Sequence, residues 1–507
     1  MVAGVLLIAA VFLPWNLYFG IGIPDCKSYL FAILGVATLL SLLSLVLSHV
    51  GPGKSSGARR LRLLLNVPYL LLVLGFVGFD ALQTIRDGGT VNVPGGIGPG
   101  GWLGLAGCLL SAQPVITSTG DGSFGKWLRT AKVLGYASMF GAALSAGFNL
   151  SWRIRYALRP APGASGFGEQ NIAVITTAVV YGVVATVAVL VASRWLLKAT
   201  KDFRLSTVAL GASTVVAGVI VWLLPVGREI DAFHGIAQNT STAGVGYEGY
   251  LAWVAAAAIL APRTLSEPRR TAADEGAWRS AARHGLLLIA IWCVGSVLMR
   301  LTDLGVAVVL NYPFSRYDSM TLAAFDLITA VLAIWLRVNL AGKALPTRLI
   351  SALSGSLFTL TVARVIVGVM LAPRFASAGA SQNPVYGNDL AQQITSTFDV
   401  VLCGLALFIF CAAIITGQLR GRLRRRRRRP AAAARAKPGA ATPGPPAHAV
   451  PSEAHTTRFS TAGPGEAHTS VLSGPAGSPR IFRGDDSATR QIPIHQPKIY
   501  RPPGSSS

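Results

Sequence analysis

Long apolar runs separated by short polar segments fill the first four-fifths of the chain. Each run is roughly 17–25 residues long, which is the length an α-helix needs to cross the hydrocarbon core of a bilayer. The pattern predicts about twelve transmembrane helices, although the fourth and eighth runs are short or interrupted by glycine and proline. The predicted spans are 1–22, 28–49, 63–83, 102–119, 133–150, 171–193, 205–227, 249–262, 285–310, 319–337, 349–372 and 393–417.

The predicted fold class is an all-α, polytopic transmembrane helix bundle, with its helical domain over residues 1–417. Successive spans must alternate in direction, so the plan that the runs suggest is six outward hairpins. The apolar pattern stops at Gln418, and an unbroken arginine run, Arg424–Arg429, precedes a segment rich in Pro, Gly, Ala, Ser and Thr. Such a segment cannot bury enough apolar surface to offset its chain entropy. Residues 418–507 are therefore predicted to form a disordered, basic cytoplasmic tail.

The composition makes lipid a necessary part of the surroundings. Hydrophobic residues are 52% of the chain and charged residues only 13%, which is about half the charged fraction of a typical soluble domain. The formal net charge is +24, and basic segments beside a membrane attract the anionic lipids of its inner leaflet. We expect the lipid bilayer as the main partner, with Arg424–Arg429 on anionic inner-leaflet lipids, and no nucleic-acid partner.

The loops differ in positive charge, and this difference predicts the orientation of the helices. One alternating set of loops carries nineteen Lys and Arg residues, whereas the other set carries eight. Loops rich in Lys and Arg remain in the cytoplasm. Both termini are therefore predicted to be cytoplasmic, in a multi-pass protein of the bacterial cell membrane.

Enzyme signatures are missing from the sequence. It contains no G-x-S-x-G, Walker loop, H-E-x-x-H or zinc-binding cysteine spacing, so we assign no catalytic, cofactor-binding or metal-binding residue. Polyprenyl-dependent membrane glycosyltransferases have a similar number of spans, but they place acidic residues in the first long outer loop and usually add an outer domain. Here that loop offers only Asp25, so this class is the least favoured of the functions considered.

Charges inside the last four predicted spans are the strongest chemical signal. A charge at mid-bilayer costs at least about 2.5 kcal/mol, so such a residue is paired or faces water. One interpretation is a polar vestibule that opens outward, and the other is a set of structural ion pairs that hold hairpins together. The candidate buried charge network comprises Arg300, Asp303, Asp326, Arg364 and Asp399.

A short internal repeat relates these charges. Val297–Arg300 (VLMR) resembles Thr361–Arg364 (TVAR), and Ala324–Asp326 (AFD) resembles Thr397–Asp399 (TFD). Counting from the predicted helix starts, the arginine of each copy lies roughly 8 Å, and the aspartate roughly 10 Å, below the outer membrane surface. Opposite charges at equal depth on antiparallel neighbours can pair. Each arginine is therefore predicted to lie within salt-bridge reach of one of the three aspartates.

Three features together carry a family resemblance. They are the N-terminal string Leu13–Gly20 (LPWNLYFG), the succession of hairpins, and the arginine run followed by a Pro/Ala/Thr-rich tail. In these features the chain resembles an uncharacterised family of actinobacterial multi-pass membrane proteins. The resemblance covers the helical part, and it implies a family of unknown function with no assigned activity, cofactor or site residues.

Two functions remain open on the sequence. The first is permease-like transport or binding of a small polar or lipid-linked solute, supported by the span number, the intramembrane charges and the repeat. The alternative is a non-catalytic envelope scaffold that recruits a cytoplasmic protein partner through its tail. Phosphorylation would add about −2 charges per site and weaken the attachment of the tail to lipid. The candidate phosphorylation sites are Thr456, Thr457, Thr461 and Thr469.

The charge bias of the loops gives a direct test of orientation. Reporter fusions at Gly95 and Gly244 are expected to be active outside the cytoplasm, and fusions at Ser56 and Glu275 inside it, because basic loops are retained in the cytoplasm. Activity of paired phosphatase and fluorescent-protein fusions measures the side of each position. Reversal at two of the four positions contradicts the predicted topology.

Overall fold

A computed structural model describes residues 1–16, 19–21, 23, 26–50, 56–87, 97–113, 123–158, 168–223, 247–266, 272–310, 316–342, 346–371 and 396–415. All of these residues lie within the unit Met1–Lys437. The predicted tail and its threonines, together with Arg424–Arg429, lie outside the described residues.

The described residues form twelve α-helices and no β-strand, which confirms the all-α prediction and gives one helix for each apolar run. A 3-10 turn, Arg194–Leu197, follows the sixth helix. The helices are α1 Val2–Phe12, α2 Ser28–Val50, α3 Ser56–Asp87, α4 Pro99–Ala112, α5 Ser123–Ala157, α6 Glu169–Ser193, α7 Lys201–Leu223, α8 Tyr247–Ser266, α9 Ala272–Val309, α10 Arg316–Asn339, α11 Thr347–Leu371 and α12 Thr397–Ile415.

The outer surface of the bundle is apolar. Within the described residues, eight helices are long and apolar enough to cross a membrane, namely α2, α3, α6, α7, α9, α10, α11 and α12. Aliphatic side chains on their outer faces, such as Leu39, Leu64 and Leu74, are about two-thirds exposed. A surface of this kind suits lipid rather than water. The chain is therefore a polytopic membrane protein.

Consecutive helices pack against one another as hairpins. The two helices are in contact in each of five pairs: α1–α2, α3–α4, α5–α6, α7–α8 and α9–α10. In the last pair, Gly355 of α11 faces the ring of Phe410 of α12. The six pairs agree with the hairpin plan that the spacing of the apolar runs suggested.

The first predicted span, 1–22, is too long. Helix α1 ends at Phe12 because Pro14 has no N–H to continue the helical hydrogen bonds. The chain then turns: the N–H of Trp15 donates to the carbonyl of Phe19 at 2.8 Å, and the Trp15 indole donates back to the Ala10 carbonyl at 3.1 Å. Trp15 and Phe19 are both buried. The described residues of the string that carried the family resemblance, 13–16, 19 and 20, thus form a mostly buried turn rather than helix.

The fourth predicted span, 102–119, is also corrected, since α4 has only 14 residues and is about 21 Å long. Its N-terminal backbone donors have no partners within the helix. The turn after α1 supplies acceptors: the Gly98 N–H donates to the Trp15 carbonyl at 2.6 Å, and the Gly100 N–H to the Pro14 carbonyl at 2.8 Å. The turn and the short helix therefore complete each other's hydrogen bonding away from water.

Helices α4, α8 and α12, the fourth of each successive group of four, form the centre of the bundle. Twelve of the fourteen residues of α4 are buried, and so is every residue of α8 from Tyr250 to Leu260. Aromatic rings connect the three helices: Trp102 lies 5.1 Å from Tyr250, and Trp253 lies 5.7 Å from Phe398. This centre was not evident from hydropathy, which is similar for buried and lipid-facing helices.

Helices α7 and α8 approach most closely at Gly211. A Cβ added there would lie 2.3 Å from the Ala257 Cβ and 2.5 Å from the Trp253 carbonyl oxygen. We expect Gly211→Ala to lower the free energy of unfolding by about 1–3 kcal/mol, because overpacking forces the two helices apart. Thermal unfolding of the purified protein measures the change.

The matched control is Gly182→Ala on α6, where nothing lies within 4 Å of the added Cβ. This change should leave the melting temperature unaltered or raise it, since alanine favours helix by up to about 1 kcal/mol over glycine. Equal melting temperatures for the two variants would contradict close packing at Gly211.

Candidate functional site

A stripe of four polar side chains runs along one face of α9. Trp292, Ser296, Arg300 and Asp303 follow one another at intervals of three and four residues, so they lie above one another on the helix. The stripe extends over about 16 Å, half the thickness of a bilayer core. We call these four residues the polar ladder.

The middle of the ladder is a closed network of charges. The Arg364 guanidinium of α11 forms ion pairs with Asp326 of α10 and, at 2.5 Å, with Asp399 of α12. The Ser296 hydroxyl donates to Asp326 at 2.7 Å and accepts from Arg364 at 2.9 Å. Asp326 is fully buried, and Arg364 is 5% exposed. Four helices thus meet at one guanidinium group.

Asp399 is held in place by the start of α12. The Ser396 N–H donates to its carboxylate at 2.7 Å, and the Asp399 N–H is 3.3 Å from the Ser396 hydroxyl. This reciprocal arrangement is a capping box, with aspartate at the third helical position. The Trp292 indole donates to the same carboxylate at 2.6 Å. The carboxylate therefore both starts a helix and neutralises Arg364.

The C-terminal end of the ladder, at Arg300 and Asp303, is less completely paired. The Nε atom of Arg300 lies 3.5 Å from Asp326, a longer contact than either ion pair of Arg364. The next ladder residue, Asp303, accepts a hydrogen bond from the Tyr181 hydroxyl of α6 at 2.5 Å. Among the described residues, no arginine or lysine nitrogen comes within 4 Å of Asp303. The ladder thus changes from closed ion pairs to a carboxyl bound by a neutral phenol.

The five charges that the sequence singled out all lie at the ladder or beside it. Arg300, Arg364, Asp326 and Asp399 form one connected cluster, in which the aspartate of the first repeat copy bridges the arginines of both copies. The fifth, Asp303, pairs with Tyr181 instead of with an arginine. Helix α9 begins at Ala272 rather than near residue 285, so the absolute depths of the prediction shift, whereas the pairing between neighbouring helices does not depend on them.

Sequence reasoning missed four participants, Trp292, Ser296, Ser396 and Tyr181. The spacing from Trp292 through Ser296 to Arg300 was available as an i, i+4, i+8 pattern, and Ser396-x-x-Asp399 as a capping signature. Nothing in the sequence pointed to Tyr181, because its partner is 122 residues away.

A second polar cluster, without charge pairs, joins the N-terminal helices. Asn66 of α3 donates to the Ser44 hydroxyl of α2 at 3.0 Å and accepts from the Ser111 hydroxyl of α4. Arg62 donates to the Ser111 carbonyl at 3.1 Å, near the end of α4. Such hydrogen bonds join helices in lipid. These bonds join neutral side chains and one arginine, whereas the ladder combines arginine with aspartate side chains, so the ladder is the candidate site.

Comparison with known proteins identifies a family and no activity. The model of a family described as a domain of unknown function (DUF7937) matches residues 1–418. No curated protein and no solved structure matches the chain.

The charge cluster can be tested by removing its partners singly and together. Asp326→Asn should lower the free energy of unfolding by about 3–5 kcal/mol, because it leaves the buried Arg300 without its counter-charge and Arg364 with Asp399 alone. The double variant Asp326→Asn with Arg300→Gln should lose less than the sum of the single variants. Melting temperatures of the purified variants measure the coupling.

The control is the ion pair between Glu275 and Arg279 on the same helix, which is 2.9 Å long and partly exposed at both ends. Removing it should cost about 0–1 kcal/mol, since solvent screens the pair. Additive losses at Asp326 and Arg300 would contradict a coupled network.

Proposed function

This chain belongs to the DUF7937 family, whose function is unknown, and we propose that it is a permease-like membrane protein. In this proposal it binds or moves a small polar or lipid-linked solute along the polar ladder of α9. The observation that carries the proposal is the change along that ladder, from the closed pairs of Arg364 to the incompletely paired Arg300 and Asp303. Ionisable residues inside a membrane typically line solute or ion paths.

Helix α9 has one apolar face toward lipid and one polar face toward the interior of the bundle, which supports a solute path along the polar face. Val294, Leu298 and Leu301 are each at least half exposed on the outer surface, whereas the ladder residues between them turn inward. One helix therefore separates an apolar surface from a polar interior over half the bilayer. Water and a polar solute are compatible only with the interior face.

The second candidate is a non-catalytic scaffold, favoured by the three-way contact of Arg364. A buried ion pair adds little net stability over apolar packing, but it fixes which helices lie together. In this interpretation, the cluster aligns α9–α12 and never opens. The two functions differ in one physical property, which is whether water reaches Ser296.

Thiol accessibility distinguishes the two candidates. In a variant whose five native cysteines are replaced, we expect Ser296→Cys to react with a charged, membrane-impermeant thiol reagent, because a permease must open the ladder to water. Leu298→Cys is the matched control, since it lies two residues away and faces lipid. Modification is measured as a mass shift on gels or by mass spectrometry.

A Ser296→Cys variant that is as unreactive as Leu298→Cys would favour the scaffold. If both termini are in the cytoplasm, as the loop charges predict, the incompletely paired end of the ladder faces the outside of the cell. The reagent should then modify Ser296→Cys when it is added outside the cell. Reaction only from the cytoplasmic side would contradict this arrangement.

A further inference from the structure

The ladder and its partners carry unequal numbers of positive and negative groups. Two guanidinium groups, Arg300 and Arg364, stand against three carboxyl groups, Asp326, Asp399 and Asp303. With every group ionised, the four connected groups sum to zero, and Asp303, which is partly exposed and lies outside that cluster, brings the total to −1. An unmatched charge is unfavourable in a medium of low dielectric constant. One proton on one carboxyl would make the five groups neutral together.

The contacts indicate which carboxyl takes the proton. Asp326 contacts both arginines, and Asp399 contacts Arg364 at 2.5 Å while accepting the Trp292 and Ser396 hydrogen bonds. Both therefore have a guanidinium counter-charge within ion-pair distance. Asp303 is bound instead by the uncharged Tyr181 hydroxyl.

The surroundings of Asp303 are defined by three helices. On α9 the nearest charge is Arg300, one turn away on the same face. Helix α6 contributes Tyr181, which is 6% exposed. Helix α10 contributes Asp326, whose carboxylate lies 3.5 Å from the Nε atom of Arg300 and competes with Asp303 for that guanidinium group. The described residues thus give Asp303 one neutral donor and one cation that is shared with another carboxylate.

We propose that Asp303 is a proton-binding site, and that its proton is exchanged when the ladder opens. This inference rests on the proposed permease function for the role of the proton, but not for its presence. A proton from water forms an O–H bond on the Asp303 carboxylate, and no electron is transferred. When that proton leaves, Asp303 becomes a second counter-charge for Arg300, which can then turn away from Asp326.

The consequence is a link between protonation and the closed cluster. With Asp303 neutral, Arg300 stays on Asp326 and the network balances at zero charge. With Asp303 ionised, Arg300 is shared between Asp303 and Asp326, and Asp326 depends more on Arg364. Loss of the proton therefore loosens the contact between Arg300 and Asp326, which is the step that would admit a polar solute.

A metal cation fits this position less well than a proton. Hard cations such as Ca²⁺ and Mg²⁺ take about six or more oxygen ligands. The described residues bring together only the Asp303 carboxyl and the Tyr181 hydroxyl. A proton requires one carboxyl oxygen, so the proposal commits to the proton.

Infrared difference spectroscopy of the full chain in lipid nanodiscs tests the proposal. At neutral pH, the wild-type protein should show the carbonyl stretch of a protonated carboxyl, and Asp303→Asn should remove that band. The control Glu275→Gln changes an acid on the same helix that is partly exposed and paired with Arg279, and it should leave the band in place. Titration to alkaline pH should remove the band in the wild type.

A second variant keeps the test independent of folding defects in Asp303→Asn. Tyr181→Phe removes only the hydroxyl that donates to Asp303, so the band should remain and move to higher frequency, as expected for a carbonyl that loses a hydrogen bond. The proposal is overturned if neither variant alters a protonated-carboxyl band. The proposal is also overturned if sodium raises the melting temperature of the wild type but not of Asp303→Asn, while potassium and a change of pH have no such effect.

Failure of this proposal can be separated from failure of the permease function. A protonated Asp303 together with an unreactive Ser296→Cys would leave a proton site inside a scaffold. A reactive Ser296→Cys with no protonated carboxyl would leave a permease that does not use Asp303 as a proton site.

Discussion

A buried charge in a membrane protein must find its counter-charge inside the protein, because lipid supplies none. In this bundle the requirement is met at Arg364, which contacts Asp326 and Asp399 and donates a hydrogen bond to the Ser296 hydroxyl. Each of the four C-terminal helices contributes one of these residues. Sliding any helix by a single residue would move its side chain by about 1.5 Å along the axis and by 100° around it. The ion pairs therefore determine the register of the four helices in a way that apolar packing alone would not.

Lipid also supplies no hydrogen-bond partners, and this shapes the backbone of the N-terminal helices. Helix α1 stops at Phe12 and α4 starts at Pro99, so both leave backbone groups without helical partners. The carbonyls of Pro14 and Trp15 accept the hydrogen bonds that the start of α4 donates. Irregular backbone is tolerated at membrane depth only where protein surrounds it. This explains why the short helix α4 and the turn at Trp15 are buried.

Structure and proposed function are connected through the ladder on α9. Its middle contacts align helices, and its C-terminal end holds a carboxyl whose partner is a phenol rather than an arginine. This third carboxyl is partly exposed and lies one turn beyond Arg300. The permease proposal gives this acid a role as a proton site, whereas the alignment of α9–α12 does not require it.

The sequence alone determined the class of protein, the number of helices and four of the buried charges, Arg300, Asp326, Arg364 and Asp399, because hydropathy and charge are properties of single residues and short windows. The capping signature at Ser396 was also readable, being local. It did not determine which apolar runs are central: α12 and α2 are similarly apolar, yet α12 is largely enclosed and α2 mostly faces lipid. Nor could it show that Asp303 binds Tyr181, 122 residues away, instead of Arg300. Burial and pairing between distant helices depend on how the whole bundle packs, and only the tertiary structure decides that.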